Sequence, residues 1–123
     1  MATYDNRQPI SLVASVDMTG FRNRFVKQHT VAGEIALAGA GENAIGVLQD
    51  KPVQSQAGNV AIDGKLVLLA GGVFAPGDKI ASDAQGRAIA AVAGNHVLGV
   101  AATNGVSGSM SEVHFSPAGV LPA

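Results

Sequence analysis

Apolar residues lie in short runs along this chain, and turns that contain glycine or proline separate the runs. Residues 10–16 place apolar side chains at every second position, which predicts an extended segment or strand. The run 60–69 has two β-prone arms around Asp63-Gly64, a dipeptide that accepts the positive φ angles of a two-residue hairpin turn. The second arm, Leu66 to Leu69, is continuously apolar, which predicts a hairpin strand buried on both faces.

The chain also repeats itself. Residues 32–62 align without gaps with residues 85–115, 53 positions later. The identical pairs are Gly33/Gly86, Ala38/Ala91, Ala40/Ala93, Gly41/Gly94, Gly46/Gly99, Val47/Val100, Val53/Val106 and Val60/Val113. This pattern predicts two copies of one supersecondary unit that pack together. Glycine inside a predicted strand of each copy, at Gly46 and Gly99, indicates bends or bulges where a barrel wall curves.

Turn signals recur about every 8–12 residues, a spacing typical of small barrels and sandwiches. The Ala-rich stretch 87–93 has helical propensity, but Gly86 and Gly94 limit it to about two turns, and short helices are marginal. The sequence therefore predicts an all-β protein: a small β-barrel or sandwich built from two related β units, with at most one short helix. We expect an extended N-terminal arm at 1–30, a β domain at 31–116 and a flexible tail at 117–123.

The composition is poor in charge and in aromatic residues. Charged residues make up 14% of the chain, against about 25% in an average soluble domain. Aromatic residues make up 4%, with no Trp, so the core must consist mainly of Val, Ile, Leu and Ala. We infer that other protein covers much of the surface. The alternative is a small Ala-rich domain with a merely neutral surface.

The net charge of −1 is unevenly placed, with +2 in residues 1–30 and −3 in residues 31–123. No dense basic patch with interleaved aromatic residues is present, so we predict no nucleic-acid partner. No apolar run approaches the roughly 20 residues that span a membrane, and no apolar signal-peptide core follows the N-terminus, so we predict no membrane partner. The absence of cysteine excludes disulfides and thiolate chemistry.

Motifs for chemistry are incomplete throughout the chain. Residues 58–65 resemble a phosphate-binding loop, but five residues separate the two glycines and Leu66 follows the lysine. The three histidines, His29, His96 and His114, lack ligand-type spacing, and Asp78 and Asp83 lie in turn sequences. We predict no catalytic, cofactor or metal site, and we do not expect an enzyme.

One order of short motifs carries a family resemblance. It runs through Ile45-Gly46-Val47, Val60-x-Ile62-x-Gly64, Val73 to Gly77-Asp78, Asp83-x-x-Gly86-x-Ala88, Leu98-Gly99-Val100-Ala101, Gly108 and Val113-x-Phe115. Over about residues 31–116 the chain resembles the small capsid cement (head decoration) proteins of tailed bacteriophages. The resemblance implies a non-enzymatic, β-rich protein, made in the host cytoplasm, on the outer capsid surface of the virion. There it would bind the major capsid protein and stabilise the head.

The arm is the expected place of capsid contact, through strand addition and through a set of apolar and basic side chains. The expected contact residues are Arg7, Phe21, Arg22, Arg24, Phe25 and Lys27. In the alternative, the two phenylalanines complete the barrel core. The low charge predicts self-association as a trimer or dimer. A second hypothesis is a β-barrel ligand- or glycan-binding module of a tail or surface protein.

Overall fold

The computed structural model describes residues 10–62 and 64–121, with only the backbone described at Ile10 and Ser11. These residues form ten β-strands and no helix, which confirms the all-β prediction. The strands are β1 Ile10–Ala14, β2 Phe25–Gln28, β3 Glu34–Leu37, β4 Gly46–Leu48, β5 Ala57–Ala61, β6 Gly64–Leu69, β7 Lys79–Ser82, β8 Ala88–Ala90, β9 His96–Ala101 and β10 Met110–Val120.

The strands make two sheets, one from each half of the chain. Strands β1-β3-β2-β4-β5 form a closed barrel, in which β5 pairs with β1; we call residues 10–62 the first barrel. Strands β6-β10-β9-β7-β8 form the second sheet, which comprises residues 64–121. A single parallel bridge between Ala70 and Ala88 joins the two outer strands of the second sheet. It corresponds to the parallel pairing of β1 with β3.

The strand orders of the two sheets are the same once β1–β5 are matched with β6–β10. The cross-strand pairs correspond as well: Ile10/Val60 with Leu66/Val113, Val26/Gly46 with Ile80/Gly99, and Ala14/Ile35 with Ala70/Ala88. Hydrogen bonds between turns repeat too: the Ser55 N–H donates to the Ala14 carbonyl, and the Gly108 N–H donates to the Ala70 carbonyl, both at 2.9 Å. The duplication therefore extends from β1 to β10.

The predicted N-terminal arm is wrong for residues 10–28, because these residues supply β1 and β2 to the first barrel. A gapless alignment misses this part of the repeat, since the first copy is three residues longer between the positions of the parallel bridge. Residues 1–9 of the predicted arm lie outside the described residues. The predicted tail also differs: residues 117–120 continue β10, and Gly119 pairs with Val97.

The predicted hairpin around Asp63-Gly64 is wrong in its pairing. Strands β5 and β6 both exist, but β5 pairs with β1 and β4, whereas β6 pairs with β10. Barrel closure already uses both edges of β5, so no edge remains for β6; Asp63 itself lies outside the described residues. Strand β6 is not buried on both faces either, since Leu66 and Leu68 are buried while Lys65 and Val67 face solvent.

The core consists of two clusters of buried apolar side chains. The interior of the first barrel holds buried Ala14, Met18, Val26, Ile35, Leu48 and Val60. A larger cluster fills the second sheet and also includes Phe25, Val47 and Ala61 from the first barrel. Phe25 stacks obliquely on Phe115 of β10, with ring centroids 6.2 Å apart. The two halves therefore share the larger of the two clusters.

Backbone hydrogen bonds fasten the two halves along the same contact. The Phe25 N–H donates to the Gly86 carbonyl at 2.7 Å, and the Leu69 N–H donates to the Asn23 carbonyl at 2.9 Å. Gly41 makes two further hydrogen bonds between the halves: its N–H donates to the Ser82 carbonyl, and its carbonyl accepts from the His96 N–H. These bonds fix the orientation of the first barrel on the second sheet.

Gly46 and Gly99 occupy equivalent positions where two strands approach closely. A β-carbon at Gly46 would strike the Ala61 carbonyl oxygen and a Val60 methyl group, and one at Gly99 would strike the His114 carbonyl. The irregular pairing of β9 with β10 begins at the Gly99/Phe115 pair and ends at the Val97/Gly119 pair, so a bulge adjoins Gly99. Close backbone approach is the reason that neither position accepts a side chain.

We expect Gly46→Ala and Gly99→Ala each to lower the free energy of unfolding by about 2 kcal/mol or more, because a backbone atom cannot yield as a side chain can. Gly20→Ala is the matched control, since nothing lies within 4 Å of its added β-carbon. Its effect should stay within about 0.5 kcal/mol. Urea unfolding followed by circular dichroism measures all three. Equal losses at Gly20 and Gly46 would contradict the close-approach explanation.

Candidate interaction surface

The two phenylalanines expected to contact the capsid belong wholly or partly to the core. Phe25 has no exposed surface and packs between the halves, so it is unavailable as an anchor for a partner. Phe21 is half-buried against the interior of the first barrel, and the Arg24 guanidinium carbon lies 5.6 Å from its ring centroid. In the alternative both phenylalanines complete the barrel core; Phe21 packs against that core, whereas Phe25 is buried between the first barrel and the second sheet.

The basic residues of the predicted contact set differ in how they are engaged. Arg24 Nη1 donates to the Gln85 carbonyl at 3.3 Å, which ties the first barrel to the second sheet. Lys27 Nζ lies 2.8 Å from Glu42 Oε1. Arg22 is exposed and makes no hydrogen bond or ion pair within residues 10–62 and 64–121. Arg7 lies outside the described residues, so Arg22 is the described member of the set with a free charge.

We call the contact between the first barrel and the second sheet the joint. Glu42 accepts two hydrogen bonds at the edge of this joint. The hydrogen bond from Lys27 lowers the pKa of Glu42 most, and the Gly39 N–H, 2.6 Å from Oε1, lowers it further. A depression of about 580 Å³ beside this pair is also lined by Ile45 and His96. Because the Lys27 ammonium and the Glu42 carboxylate neutralise each other, this depression offers no free charge to a ligand.

A second surface depression crosses the other side of the joint. Two adjoining hollows of about 400 and 440 Å³ share Arg22, Gln49 and Asp50, and we call them together the basic groove. Its polar lining includes Arg22, Lys51, Lys65, Gln49, Asp50 and Asn59. Two hydrogen bonds fix residues of the lining relative to one another. The Gln49 N–H donates to the Asn59 carbonyl at 2.8 Å, and the Asn59 N–H donates to Asp50 Oδ2 at 3.1 Å.

The remaining titratable residues are separate or have local structural roles. Asp78 accepts the Ala75 N–H at 2.9 Å, and Asp83 accepts the Arg87 N–H and Nε–H, both at 2.8 Å. These bonds agree with the turn assignments made from the sequence. His29 lies 3.6 Å from Glu34, and no group of three or more His, Asp or Glu that could hold a metal exists in the described part of the chain.

Exposed valines mark equivalent turns in the two halves. The repeated pair Val53 and Val106 is 50% and 57% exposed. Val73, 79% exposed, lies next to the Phe74–Gly105 bridge and therefore beside Val106. Val73 and Val106 therefore place two exposed apolar side chains next to each other.

No protein-family model and no curated protein matches the chain. Among solved structures, the chain is similar to the crystal structure of the head fiber gp8.5 N base of bacteriophage phi29, with a TM-score of 0.73. Sequence identity is 16%, and the match covers 88% of this chain and 92% of that chain. The two proteins therefore share a fold over most of the length of each chain. Within the residues described, no helix has the length and apolar character needed to cross a membrane.

We expect Phe25→Ala to lower the free energy of unfolding by about 3–5 kcal/mol, since it empties the joint between the halves. Phe21→Ala should cost less, because Phe21 is only half-buried. Chemical unfolding of both variants measures the difference. A stable Phe25→Ala protein that lost partner binding alone would instead support the anchor role.

The Lys27–Glu42 pair should make stability depend on pH. Because the pKa of Glu42 is lower in the folded chain, its contribution is complete above the ordinary glutamate value of about 4.3 and is lost as pH falls through the folded value. We expect Glu42→Gln to cost about 0.5 kcal/mol at pH 7, because the pair is partly exposed, and to cost nothing near pH 2.

Unfolding measured from pH 7 to pH 2 tests this expectation. Glu112→Gln is the control, since the Glu112 carboxylate lies 3.7 Å from Lys65 rather than 2.8 Å. A Glu42→Gln loss that stayed constant with pH would argue against the charge effect.

Proposed function

We propose that this chain is a non-enzymatic structural protein of a phage virion. It binds the outside of the head as a decoration (cement) protein and stabilises contacts between major capsid protein subunits. The observation that carries the proposal is the shared fold with the base of a phage head fiber, which extends over 88% of the chain. The sequence resemblance to head decoration proteins points to the same location independently.

The surface supports contact with protein rather than with a small molecule. Charge is sparse, and valines at the equivalent turns Val53 and Val106 are about half exposed. A protein that binds only the assembled head stabilises it by mass action, by about 2.7 kcal/mol per site at a hundredfold excess over the dissociation constant. Many copies on a repeating lattice would add such contributions. We further propose a trimer or dimer, with no cofactor, nucleic-acid partner or membrane partner.

A second candidate function follows from the name of the structural neighbour, which is the base of a fiber. In that case the chain would anchor an appendage to the head rather than cement it. The two functions share attachment to the head surface. They differ in whether removal of the protein weakens the head.

The test uses heads of the phage that encodes this chain, prepared with and without the protein. We expect purified protein to add saturable, symmetric density to the outside of protein-free heads in cryo-electron microscopy, at a fixed ratio to the capsid subunit. The symmetry of the density reads out the trimer or dimer. We also expect decorated heads to retain DNA at higher temperature.

Density without any gain in heat resistance would favour the fiber-base function. Absence of density on the head would contradict both candidates.

A further inference from the structure

The basic groove concentrates free positive charge on a chain whose net charge is −1. Arg22 and Lys51 are exposed and make no ion pair within residues 10–62 and 64–121, and Lys65 lies 3.7 Å from Glu112. Asp50 is the one carboxylate in the lining, and the Asn59 N–H already occupies its Oδ2. The groove therefore offers an anion two unpaired cations, Arg22 and Lys51, beside the Lys65–Glu112 pair and the single carboxylate of its lining, Asp50.

The second copy of the repeat supplies an internal comparison. The Ala102 N–H donates to the Glu112 carbonyl and the Glu112 N–H donates to Thr103 Oγ1, at 2.9 and 3.0 Å, in the places of Gln49, Asn59 and Asp50. Thr103 in the second sheet and Asp50 in the first barrel thus accept equivalent hydrogen bonds from the backbone. The presence of Asp50 in the groove is therefore explained by this structural role and not by a ligand.

The corresponding depression in the second copy has a different surface. It is lined by Val67, Thr103, Asn104, Met110, Ser111 and Glu112, without any cation. Asn104 stands where the first copy has Lys51. The duplicated scaffold folds without basic residues at these positions, so Lys51 and Arg22 are not required by the backbone geometry.

The neutral lining suits a peptide. No described hydrogen bond uses the side-chain amides of Gln49 and Asn59, both of which are exposed. A carboxamide can both donate to and accept from a peptide backbone. The lining contains no aromatic ring on which a nucleic-acid base could stack. Cations beside carboxamides fit an extended chain with carboxylate side chains.

We propose that the basic groove binds an extended acidic peptide segment of the partner protein. Arg22, Lys51 and Lys65 engage its carboxylates, and Gln49 and Asn59 hydrogen-bond its backbone. The identification of the partner as a head protein rests on the proposed function above; the recognition of an acidic segment does not. Because salt screens the attraction between exposed charges, we expect the affinity for the peptide to fall as the salt concentration rises.

The experiment is a titration of the ¹⁵N-labelled full chain with a capped hexaglutamate peptide, followed by amide chemical shifts at low salt. We expect saturable shifts at Gln49, Asp50, Lys51 and Asn59, and none with capped hexalysine. Arg22→Gln and Lys51→Gln should each weaken binding about five- to tenfold, since each removes one charge-assisted contact. Lys79→Gln is the matched control, because Lys79 is an exposed lysine outside the groove, and it should change the affinity less than about twofold.

Several results would overturn the proposal. Shifts centred elsewhere, equal losses in Lys51→Gln and Lys79→Gln, or no saturable binding would each do so. Tighter binding of hexathymidylate than of hexaglutamate would replace the peptide with a nucleic acid.

Head binding by the same variants separates this proposal from the proposed function. If Arg22→Gln protein still decorates heads with unchanged affinity, the groove is not the head contact, whereas the proposed function stands. If the natural protein does not bind heads, the proposed function fails. The binding of an acidic peptide by the groove is then tested by the peptide titration alone.

Discussion

The fold depends on the burial of one outward-facing row of the first barrel against the second sheet. Phe25, Val47 and Ala61 lie side by side on β2, β4 and β5, and all three belong to the core shared by the halves. A chain with 4% aromatic residues has few large side chains with which to fill a core. Packing the outer wall of the first barrel against the second sheet brings Phe25 and Phe115 into one cluster that both halves share.

The same row explains how the two copies have diverged. Lys79, Val100 and His114 form the corresponding row on β7, β9 and β10, and all three are exposed. The row of the first copy is apolar where it meets the second sheet. The row of the second copy carries Lys79 and His114 and faces solvent. The same structural row is therefore buried in one copy and exposed in the other.

Much of the fold could be predicted from local pattern, but the pairing of strands could not. Alternation in residues 10–16 correctly indicated β1, and glycines at repeated positions indicated a duplicated β unit. The repeat was hidden in residues 10–30 because the first copy is three residues longer between the positions of the parallel bridge. In addition, Phe25 faces the second sheet while its counterpart Lys79 faces solvent. The Asp63-Gly64 signal correctly indicated a strand on each side of it, but barrel closure decides which strands pair. The groove could not be predicted from the sequence, because its cations Arg22, Lys51 and Lys65 are distant along the chain. They come together only when the first barrel packs on the second sheet.

In each half, the first strand pairs with the last. Strand β1 bonds to β5, and β6 bonds to β10, so the partners are the most distant strands of each repeat. During synthesis, β1 has no antiparallel partner until residues 57–61 have left the ribosome, and β6 waits in the same way for β10. Contacts of such long sequence separation slow folding, because the loop between them must be ordered first. The order of strands thus means that neither half can complete its sheet before its final strand has emerged from the ribosome.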